Sequence, residues 1–499
     1  MEKLEAKIIS FMKKEIVIIL VALFNVLQLF SQQTDRMKES YELFKQQAIK
    51  NYDNFRNNAN EVYAEFLRQA WNEFHALPQI PKPKDETVPP VVLTDDDNDK
   101  PIESVPVPID DVVIPPEPEP QPVPVSPIRE QHTADRDVAF TYCGTKCTVR
   151  FSQESKYKLD GCDNEMLSKA WGELSDGRYN NMVRDCLELR IKLQLSDWAY
   201  LNMLVAFAEK CIGKGNEAIF LAAFIYSQSG YKMRIGRSGE QLYLLFASKH
   251  SIYEMSYYEI DGEKFYPLNS NVDKMEICGA SLPDEKPLSL YIPQRQMLAV
   301  SKTTAKTFTA ERYADMTFKV SVNKNLIDFY NTYPTSEAGG NFMTRWAMYA
   351  NTPMEKEIVD GLYPGIRKKL NGLNQIDAAN KILNWVQTAF VYEYDDKVWG
   401  GDRAFFPEET LYYPYCDCED RSILFARLVR DLLGLDCILV YYPGHLATAV
   451  CFTESVNGDY ITIGSNRYTI CDPTYIGAPV GLTMPDMDNR KASVILLEK

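Results

Sequence analysis

The chain has 499 residues, too many for one ordinary hydrophobic core, so two or three folded units are expected. Apolar residues make up 45% of the sequence and charged residues 25%, which is a globular composition. The formal net charge of −15 disfavours a nucleic-acid-binding role, because no basic stripe is present to contact phosphates.

The N-terminus has the pattern of an export signal. Lysines precede an apolar run at residues 16–30, which is short for a membrane-spanning helix and typical of a signal-peptide core. Cleavage after Ser31 would make residues 1–31 the signal peptide, and the alternative is an uncleaved anchor. The protein is therefore predicted to be exported to the periplasm or cell envelope.

Residues 32–77 are predicted to be an amphipathic helical segment. Within residues 37–75, apolar residues recur every three or four positions and define one helix face. Two alternatives remain for that face: it contacts a partner in the envelope or another copy, or it docks on the protein's own body. The face consists of Phe44, Ala48, Tyr52, Phe55, Ala59, Val62, Phe66 and Ala70.

A proline-rich segment follows at residues 78–130. Between Pro78 and Pro127 lie 15 of the 28 prolines of the chain. Such a composition predicts an extended, solvated linker that forms neither helix nor sheet. A spacer is the preferred interpretation, and a proline-rich ligand for another protein is the alternative.

The remainder of the chain is globular in composition and divides into three parts. Residues 137–280 and 346–499 mix helical and strand patterns. Residues 281–345 are predicted to be a β-rich connector, because "ASLPDEKPLSLYIPQRQMLAV" and "RYADMTFKVSV" have strand-like patterns. The predicted fold class is therefore α+β.

The eleven cysteines follow no regular spacing. Export permits disulfides, and the odd number predicts at least one cysteine that is unbridged or pairs with another molecule. No CxxC pair or Cys/His cluster indicates zinc, and no cofactor or metal is expected.

Two segments of the chain follow the same order of helices, a strand and a hairpin. The earlier one contains "KGNEAIFLAAFIYSQSGYKMRIGRSGEQLYLLFAS", and the later one contains "CEDRSILFARLVRDLLGLDCILVYYPGHLATAVCF". Aligning Gly230 with Gly434 requires no gap through the next strand. The sequence therefore predicts a duplicated unit.

The duplication allows the two copies to be compared position by position. The later copy has a thiol, an imidazole and a carboxylate where the earlier copy has none of them. This asymmetry is expected if one copy performs chemistry and the other is scaffold or a binding surface. The aligned pairs are Cys418 with Lys214, His445 with Gln241, and Asp472 with Asn269.

The stretch "YYPYCDCEDRSILFARLV" places two cysteines near the start of a predicted helix that ends at Gly434. Cys418 begins the helix, where the helix dipole and unpaired backbone N–H groups favour a thiolate. The same N–H groups could stabilise an oxyanion. Cys416 lies before the helix, so Cys418 is the better candidate nucleophile.

A base and an orienting carboxylate follow in the sequence. His445 starts a predicted strand after a Pro-Gly turn, and a hairpin turn is predicted at Asn457–Gly458. The chain then returns to Asp472 at a strand end. Antiparallel strands could bring Asp472 beside His445, where its carboxylate would fix the ring tautomer and stabilise the imidazolium.

The run "CEDRSILFARLVRDLLGL…YYPGHLATAV…YTICDPTY" resembles the transglutaminase-like core, a branch of the papain-like cysteine enzymes, over roughly residues 375–480. In that family a cysteine heads a helix packed on an antiparallel sheet, and histidine and aspartate follow on successive strands. The resemblance implies the roles of nucleophile, base and orienter for Cys418, His445 and Asp472. It makes residues 346–499 the catalytic domain and residues 137–280 a degenerate copy.

The sequence departs from this family at one position. The family often has glycine two residues before the nucleophile, where this chain has Cys416. Regulation through a disulfide, or a perturbed site, is the expectation that follows. Besides the Cys418 backbone N–H, the candidate oxyanion donors are Gln387, Trp399 and Tyr412, each with a structural role as the alternative.

The resemblance implies acyl transfer through a thioester on Cys418 of a peptide or protein substrate, without a metal. With water as acceptor, the protein would be a cysteine peptidase or amidase that acts on protein or cell-wall peptides. This interpretation is preferred, because exported bacterial-type members of the fold are thought to cleave such bonds. With an amine as acceptor, it would be a crosslinking transglutaminase. A non-catalytic envelope binding or scaffold protein is the alternative from another class.

Overall fold

The computed structural model describes residues 53–83, 88–94, 104–124, 127–155, 157–487 and 491–498, together with residues 47, 50 and 51. The chain forms two units, Met1–Glu61 and Val62–Lys499. The predicted signal peptide lies outside the described residues. Within the described part of the chain, no helix is long and apolar enough to cross a membrane.

Runs of strands and runs of helices follow one another along the second unit. Within the described residues the strands are β1 (Trp71–His75), β2 (Ile109–Val113), β3 (Asp135–Tyr142), β4 (Thr145–Ser152), β5 (Met233–Ser238), β6 (Gln241–Ala247), β7 (Ser251–Ile252), β8 (Tyr258–Ile260), β9 (Glu263–Pro267), β10 (Lys274–Cys278), β11 (Lys306–Thr309), β12 (Thr317–Val320), β13 (Ser336–Glu337), β14 (Val391–Tyr392), β15 (Tyr415–Cys416), β16 (Cys437–Tyr442), β17 (His445–Val450), β18 (Tyr460–Ile463), β19 (Asn466–Cys471) and β20 (Ala492–Ile495). The helices from residue 164 onward are α1 (Asn164–Leu174), α2 (Asn180–Lys192), α3 (Asp197–Ile212), α4 (Asn216–Gln228), α5 (Lys324–Tyr330), α6 (Thr344–Asn351), α7 (Lys356–Gly361), α8 (Tyr363–Leu370), α9 (Gln375–Thr388), α10 (Asp395–Val398), α11 (Pro407–Tyr412) and α12 (Cys418–Leu433). The α+β class predicted from the sequence is confirmed.

Two six-stranded sheets have the same strand order. The first runs β1-β10-β5-β6-β9-β8, and the second, read in the matching direction, runs β2-β20-β16-β17-β19-β18. Helix α4 packs against β5 and β6, as α12 packs against β16 and β17. One edge differs, because β1 is antiparallel to its neighbour and β2 is parallel. This correspondence is the arrangement that a duplicated unit would have.

The central hairpins of the two sheets also start at matching positions. Gln241 is the first residue of β6, and His445 is the first residue of β17. Asn269 lies two residues after β9, and Asp472 directly follows β19. The ungapped alignment is less accurate at the helix start, because α4 begins at Asn216, two residues beyond Lys214.

The predicted N-terminal helix is helical over residues 53–61 of the first unit and over residues 62–69 of the second. It does not continue to residue 75, because β1 begins at Trp71 and pairs with β10. In the second unit, Tyr63 and Leu67 are buried, whereas Val62 and Phe66 of the predicted apolar face are 47% and 45% exposed. Val62 and Phe66 of the predicted apolar face are therefore largely exposed, and the helix packs through Tyr63 and Leu67 instead.

The proline-rich segment differs from the predicted solvated linker. Residues 109–113 form β2, an edge strand of the second sheet, and Val107 and Val113 are buried. The sequence "IDDVV" of β2 contains no proline, so each residue has the N–H group that a sheet requires. The prolines lie on either side of the strand, and residues 104–124 are therefore part of the folded body.

The connector at residues 281–345 contains less strand than predicted. Its strands are the β11–β12 hairpin and the short β13, and it also contains helix α5. Residues 280–300 form only isolated bridges, at Lys286 and Leu288. Prolines at positions 283, 287 and 293 remove backbone donors there, which explains the missing strand.

Three glutamates are buried around the start of α11. The Glu355 backbone N–H donates to Glu408 Oε1 at 2.6 Å, and the Phe406 N–H donates to Glu409 Oε2 at 3.1 Å. Burial raises the pKa of Glu408 and of Glu409 to about 7. Burial, and then the charge of Glu408, raise the pKa of Glu355 to about 8. The folded state therefore favours the protonated forms.

We predict that the free energy of unfolding decreases as the pH rises from about 5 through 7 to 8. Over this range the three carboxyls ionise readily in the unfolded state, whereas burial opposes their ionisation in the folded state. Glu408→Gln should weaken this decrease and make the protein more stable than wild type at pH 8, by on the order of 2 kcal/mol. Urea unfolding at pH 5 and pH 8 measures both effects. The exposed Glu259→Gln is the control, and an equal pH dependence in both variants would contradict the assignment.

Candidate active site

Cys418 is the first residue of α12, as the sequence predicts. The N-cap residue Asp417 accepts from the backbone N–H groups of Glu419 at 3.1 Å and Asp420 at 3.4 Å. The Asp420 carboxylate in turn accepts from the Asp417 N–H at 3.2 Å. This reciprocal capping box fixes the start of the helix, and so it fixes the position of the thiol.

His445 and Asp472 form a buried hydrogen-bonded pair. Strands β17 and β19 are antiparallel neighbours in the second sheet. His445 Nε2 lies 2.8 Å from Asp472 Oδ2, and both side chains are fully buried. Because an ionised carboxylate only accepts, Nε2 carries the hydrogen and Nδ1 of the neutral ring has the lone pair. Nδ1 is buried and has no hydrogen-bond partner among the described residues.

Helix α12 packs on the strand that begins with His445. Ser422 Oγ donates to the backbone oxygen of Leu446 at 2.8 Å. Ser422 lies one helical turn after Cys418, and residues four apart share a helix face. Cys418 therefore lies on the face of α12 that packs against the start of β17, and it is 4% exposed.

A turn fixes the second oxygen of Asp472. Oδ1 accepts from the backbone N–H groups of Thr474 at 2.8 Å and Tyr475 at 3.2 Å. Oδ2 of Asp472 thus accepts from the imidazole, and Oδ1 accepts from the loop. Asp472 cannot rotate away from His445 without breaking this turn.

Gln387 supports the same loop and is not placed as an oxyanion donor. Its Nε2 donates to the backbone oxygens of Asp472 at 3.0 Å, Tyr475 at 2.7 Å and Ala478 at 3.0 Å. Its Oε1 accepts from the Gly477 N–H at 3.2 Å. The buried amide therefore holds the loop after Asp472 in place.

The other two candidate oxyanion donors also have structural contacts. Trp399 packs edge-on against Tyr413, with ring centroids 4.8 Å apart, and Arg403 lies 4.3 Å from its ring centroid. The ring of Tyr412 lies 5.7 Å from Lys306 Nζ. These contacts give both residues packing roles around α10 and α11.

Tyr392 is a site residue that the sequence does not reveal. It lies on β14, paired in parallel with Cys416 of β15. Its hydroxyl is buried and has no hydrogen-bond partner among the described residues. Burial raises the pKa of Tyr392 above its usual range, and the neighbouring Cys418 adds to the rise. The phenol therefore keeps its hydrogen, and its strand pairs with Cys416, two residues before Cys418.

Cys416 is a buried thiol, and the structure has all eleven cysteines as thiols. Its Sγ lies 3.8 Å from the backbone oxygen of Val391, and burial raises its pKa. A group of this kind is poorly ionised and inert. In this structure Cys416 is in the thiol form, and disulfide regulation through it stays a prediction.

Buried carboxylates surround the start of α12. Oxygens of Asp395, Asp417 and Glu419 lie within 4.8 Å of one another, close enough to hold a metal ion. Protein groups already bond to this trio: the Arg403 N–H donates to Asp395 at 2.6 Å, and Trp346 Nε1 donates to Glu419 at 2.7 Å. Asp395 and Glu419 therefore already accept hydrogen bonds from other groups of the protein.

These carboxylates affect the thiol electrostatically. Burial, and then the charge of Asp417, raise the pKa of Asp420 well above its usual range. Negative groups near Cys418 oppose a thiolate, so they offset the helix dipole. The carboxylates and the helix dipole therefore act on the Cys418 thiol in opposite directions.

A strap from the proline-rich segment, residues 88–94, covers the loops that carry the pair. The Val88 N–H donates to the backbone oxygen of Gly444 at 2.9 Å. The Leu93 N–H donates to Ile476 at 2.9 Å, and the Ile476 N–H donates to Val91 at 2.8 Å. The strap thus joins the turn before His445 to the loop after Asp472.

Comparisons of the chain with protein-family models, curated proteins and solved structures find no match. The functional argument therefore depends on the geometry of the site.

We predict that Gln387→Ala lowers the free energy of unfolding by roughly 2–4 kcal/mol, because it leaves several buried polar groups around Asp472 without a partner. Urea denaturation measures the change. Gln375→Ala is the control, since among the described residues the Gln375 side chain accepts from the exposed Thr453. An equal decrease in the free energy of unfolding in both variants would contradict a special role for Gln387.

Proposed function

We propose that this protein is an exported cysteine peptidase or amidase of transglutaminase-like type, with Cys418, His445 and Asp472 as nucleophile, base and orienter. The observation that carries the proposal is the fully buried 2.8 Å pair of His445 and Asp472 beside a helix headed by a cysteine. The free Nδ1 lone pair of His445 supports its role as base.

In the proposed reaction, Cys418 Sγ transfers its proton to His445 Nδ1 and attacks the carbonyl carbon of a peptide or side-chain amide. The oxyanion accepts hydrogen bonds from the Cys418 backbone N–H and the Tyr392 hydroxyl. Collapse of this intermediate expels the amine, which takes the proton from His445, and leaves a thioester on Cys418. Water then attacks the thioester with His445 as base, releasing a carboxylic acid and the thiol.

The same thioester could pass to an amine, which would make the protein a crosslinking transglutaminase. The difference depends on whether water or an amine reaches the thioester first. A non-catalytic envelope binding protein is the alternative that retains the fold without chemistry. Neither the proposed reaction nor its amine variant requires nucleic acid or a metal. The exposed Val62 and Phe66 support an envelope partner for the N-terminal helix.

A test uses glutamine-containing peptides with and without a fluorescent primary amine. Hydrolysis predicts new N-termini or released ammonia that do not depend on the amine, whereas crosslinking predicts incorporation of the amine. Cys418→Ser should abolish either product, and Cys416→Ser should retain it. Turnover that survives Cys418→Ser would overturn the proposal.

We predict that Tyr392→Phe lowers kcat by about 10²-fold with little change in KM, because a lost oxyanion donor acts mainly in the transition state. Steady-state kinetics on the same peptides measure the two constants. Tyr394→Phe, two residues away, is the control and should retain near wild-type kcat. A kcat of Tyr392→Phe within twofold of wild type would exclude the hydroxyl from the reaction.

A further inference from the structure

The earlier copy has an open cavity where the later copy has its candidate active site. The cavity has a volume of about 410 Å³ and lies between α3, the start of α4, β6 and the turn after β9. This volume falls within the range of about 300–1,000 Å³ that is typical of ligand sites. Gln241 and Asn269, the counterparts of His445 and Asp472, both line it.

The two copies differ in whether these positions are accessible. Gln241 and Asn269 are exposed, whereas His445 and Asp472 are buried. Gly215, at the start of α4, lines the cavity and has no side chain to fill it. The earlier copy therefore presents a concave surface at positions whose counterparts in the later copy are buried.

The polar groups of the cavity wall are mostly neutral. Gln241 Nε2 donates to Asn216 Oδ1 at 3.0 Å, which holds the amide at the start of the strand. Asn269 and Ser270 supply further groups that both donate and accept. The one carboxylate of the wall, Glu209, lies 3.8 Å from Lys214 Nζ, which offsets its charge.

The rest of the wall is mostly aliphatic, with Tyr243 as its one aromatic residue among those described. Ile219, Leu244 and Leu268 contribute apolar surface next to the side-chain amides. Amides and hydroxyls pair with the N–H and C=O groups of a peptide, and an aliphatic wall accepts an aliphatic side chain. None of the described residues lining the cavity is a cysteine or histidine, so the wall has no thiol or imidazole for acyl transfer.

We propose that this cavity binds an uncharged peptide segment with an aliphatic side chain, so that the earlier copy is a peptide-binding module. The peptide class rests on the proposed function, in which the later copy acts on peptide amides. The site would hold one part of a substrate chain without cleaving it.

The test uses the full mature protein with Cys418→Ser, so that binding is measured without turnover. The probe is the capped tripeptide acetyl-Ala-photoleucine-Ala-amide, whose diazirine crosslinks to neighbouring residues on illumination. Mass spectrometry maps the crosslinks, and unmodified acetyl-Ala-Leu-Ala-amide competes for the site. The expected result is competed crosslinking within residues 205–222, 241–244 or 268–270.

Two substitutions test the cavity itself. Ile219→Trp should fill it, and Asn269→Gly should remove an amide while keeping a backbone with φ of 55° that glycine adopts easily. Each should lower crosslinking in the earlier copy at least fivefold. Ile191→Trp, at a 71% exposed position of α2, is the matched control and should leave it unchanged.

Crosslinks confined to residues near Cys418 and His445 would overturn this inference and leave the proposed function intact. Crosslinks in the earlier copy that Ile219→Trp does not reduce would also overturn it, as would an absence of competed crosslinks. The proposed function is judged separately by turnover in the protein that retains Cys418, so the two failures are distinguishable.

Discussion

The hydrogen bond between His445 and Asp472 is the interaction on which the rest of the candidate site depends. It requires β17 and β19 to be neighbours in one sheet, and it fixes which imidazole nitrogen keeps its lone pair. A buried, uncompensated carboxylate or imidazole would be costly, so the pair, the turn at Asp472 and Gln387 form one connected network. Strand order, loop structure and proposed chemistry are thus linked through a single contact.

The two sheets share one architecture but differ at the positions of the candidate site. Both have the same strand order and the same helix packed on the central hairpin. In the later sheet, the strap at residues 88–94 forms backbone hydrogen bonds to the loops beside the buried pair. In the earlier sheet, the matching positions are neutral amides that line an open cavity. In the proposed account, the earlier copy has no nucleophile or base to position, and its open cavity is available for binding.

Much of the later copy could be predicted from local patterns. The start of α12 at Cys418 follows from its capping residues and apolar spacing, and the strand at His445 follows a Pro-Gly turn. The proline-rich segment could not be predicted, since proline content describes the local backbone and not whether a short proline-free run such as β2 finds a sheet edge. Tyr392 was missed for a similar reason, because its place opposite Cys416 depends on a two-residue parallel pairing between distant segments.

The most direct measurement is the rate at which iodoacetamide alkylates Cys418 as a function of pH, resolved by mass spectrometry, in the wild type and in His445→Ala. The account predicts fast alkylation of Cys418 below pH 7, slowed strongly by His445→Ala, while Cys416, whose pKa is raised, stays unmodified. Alkylation of Cys418 only near pH 8.5, about the pKa of an ordinary thiol, and with the same rate in both proteins, would contradict it.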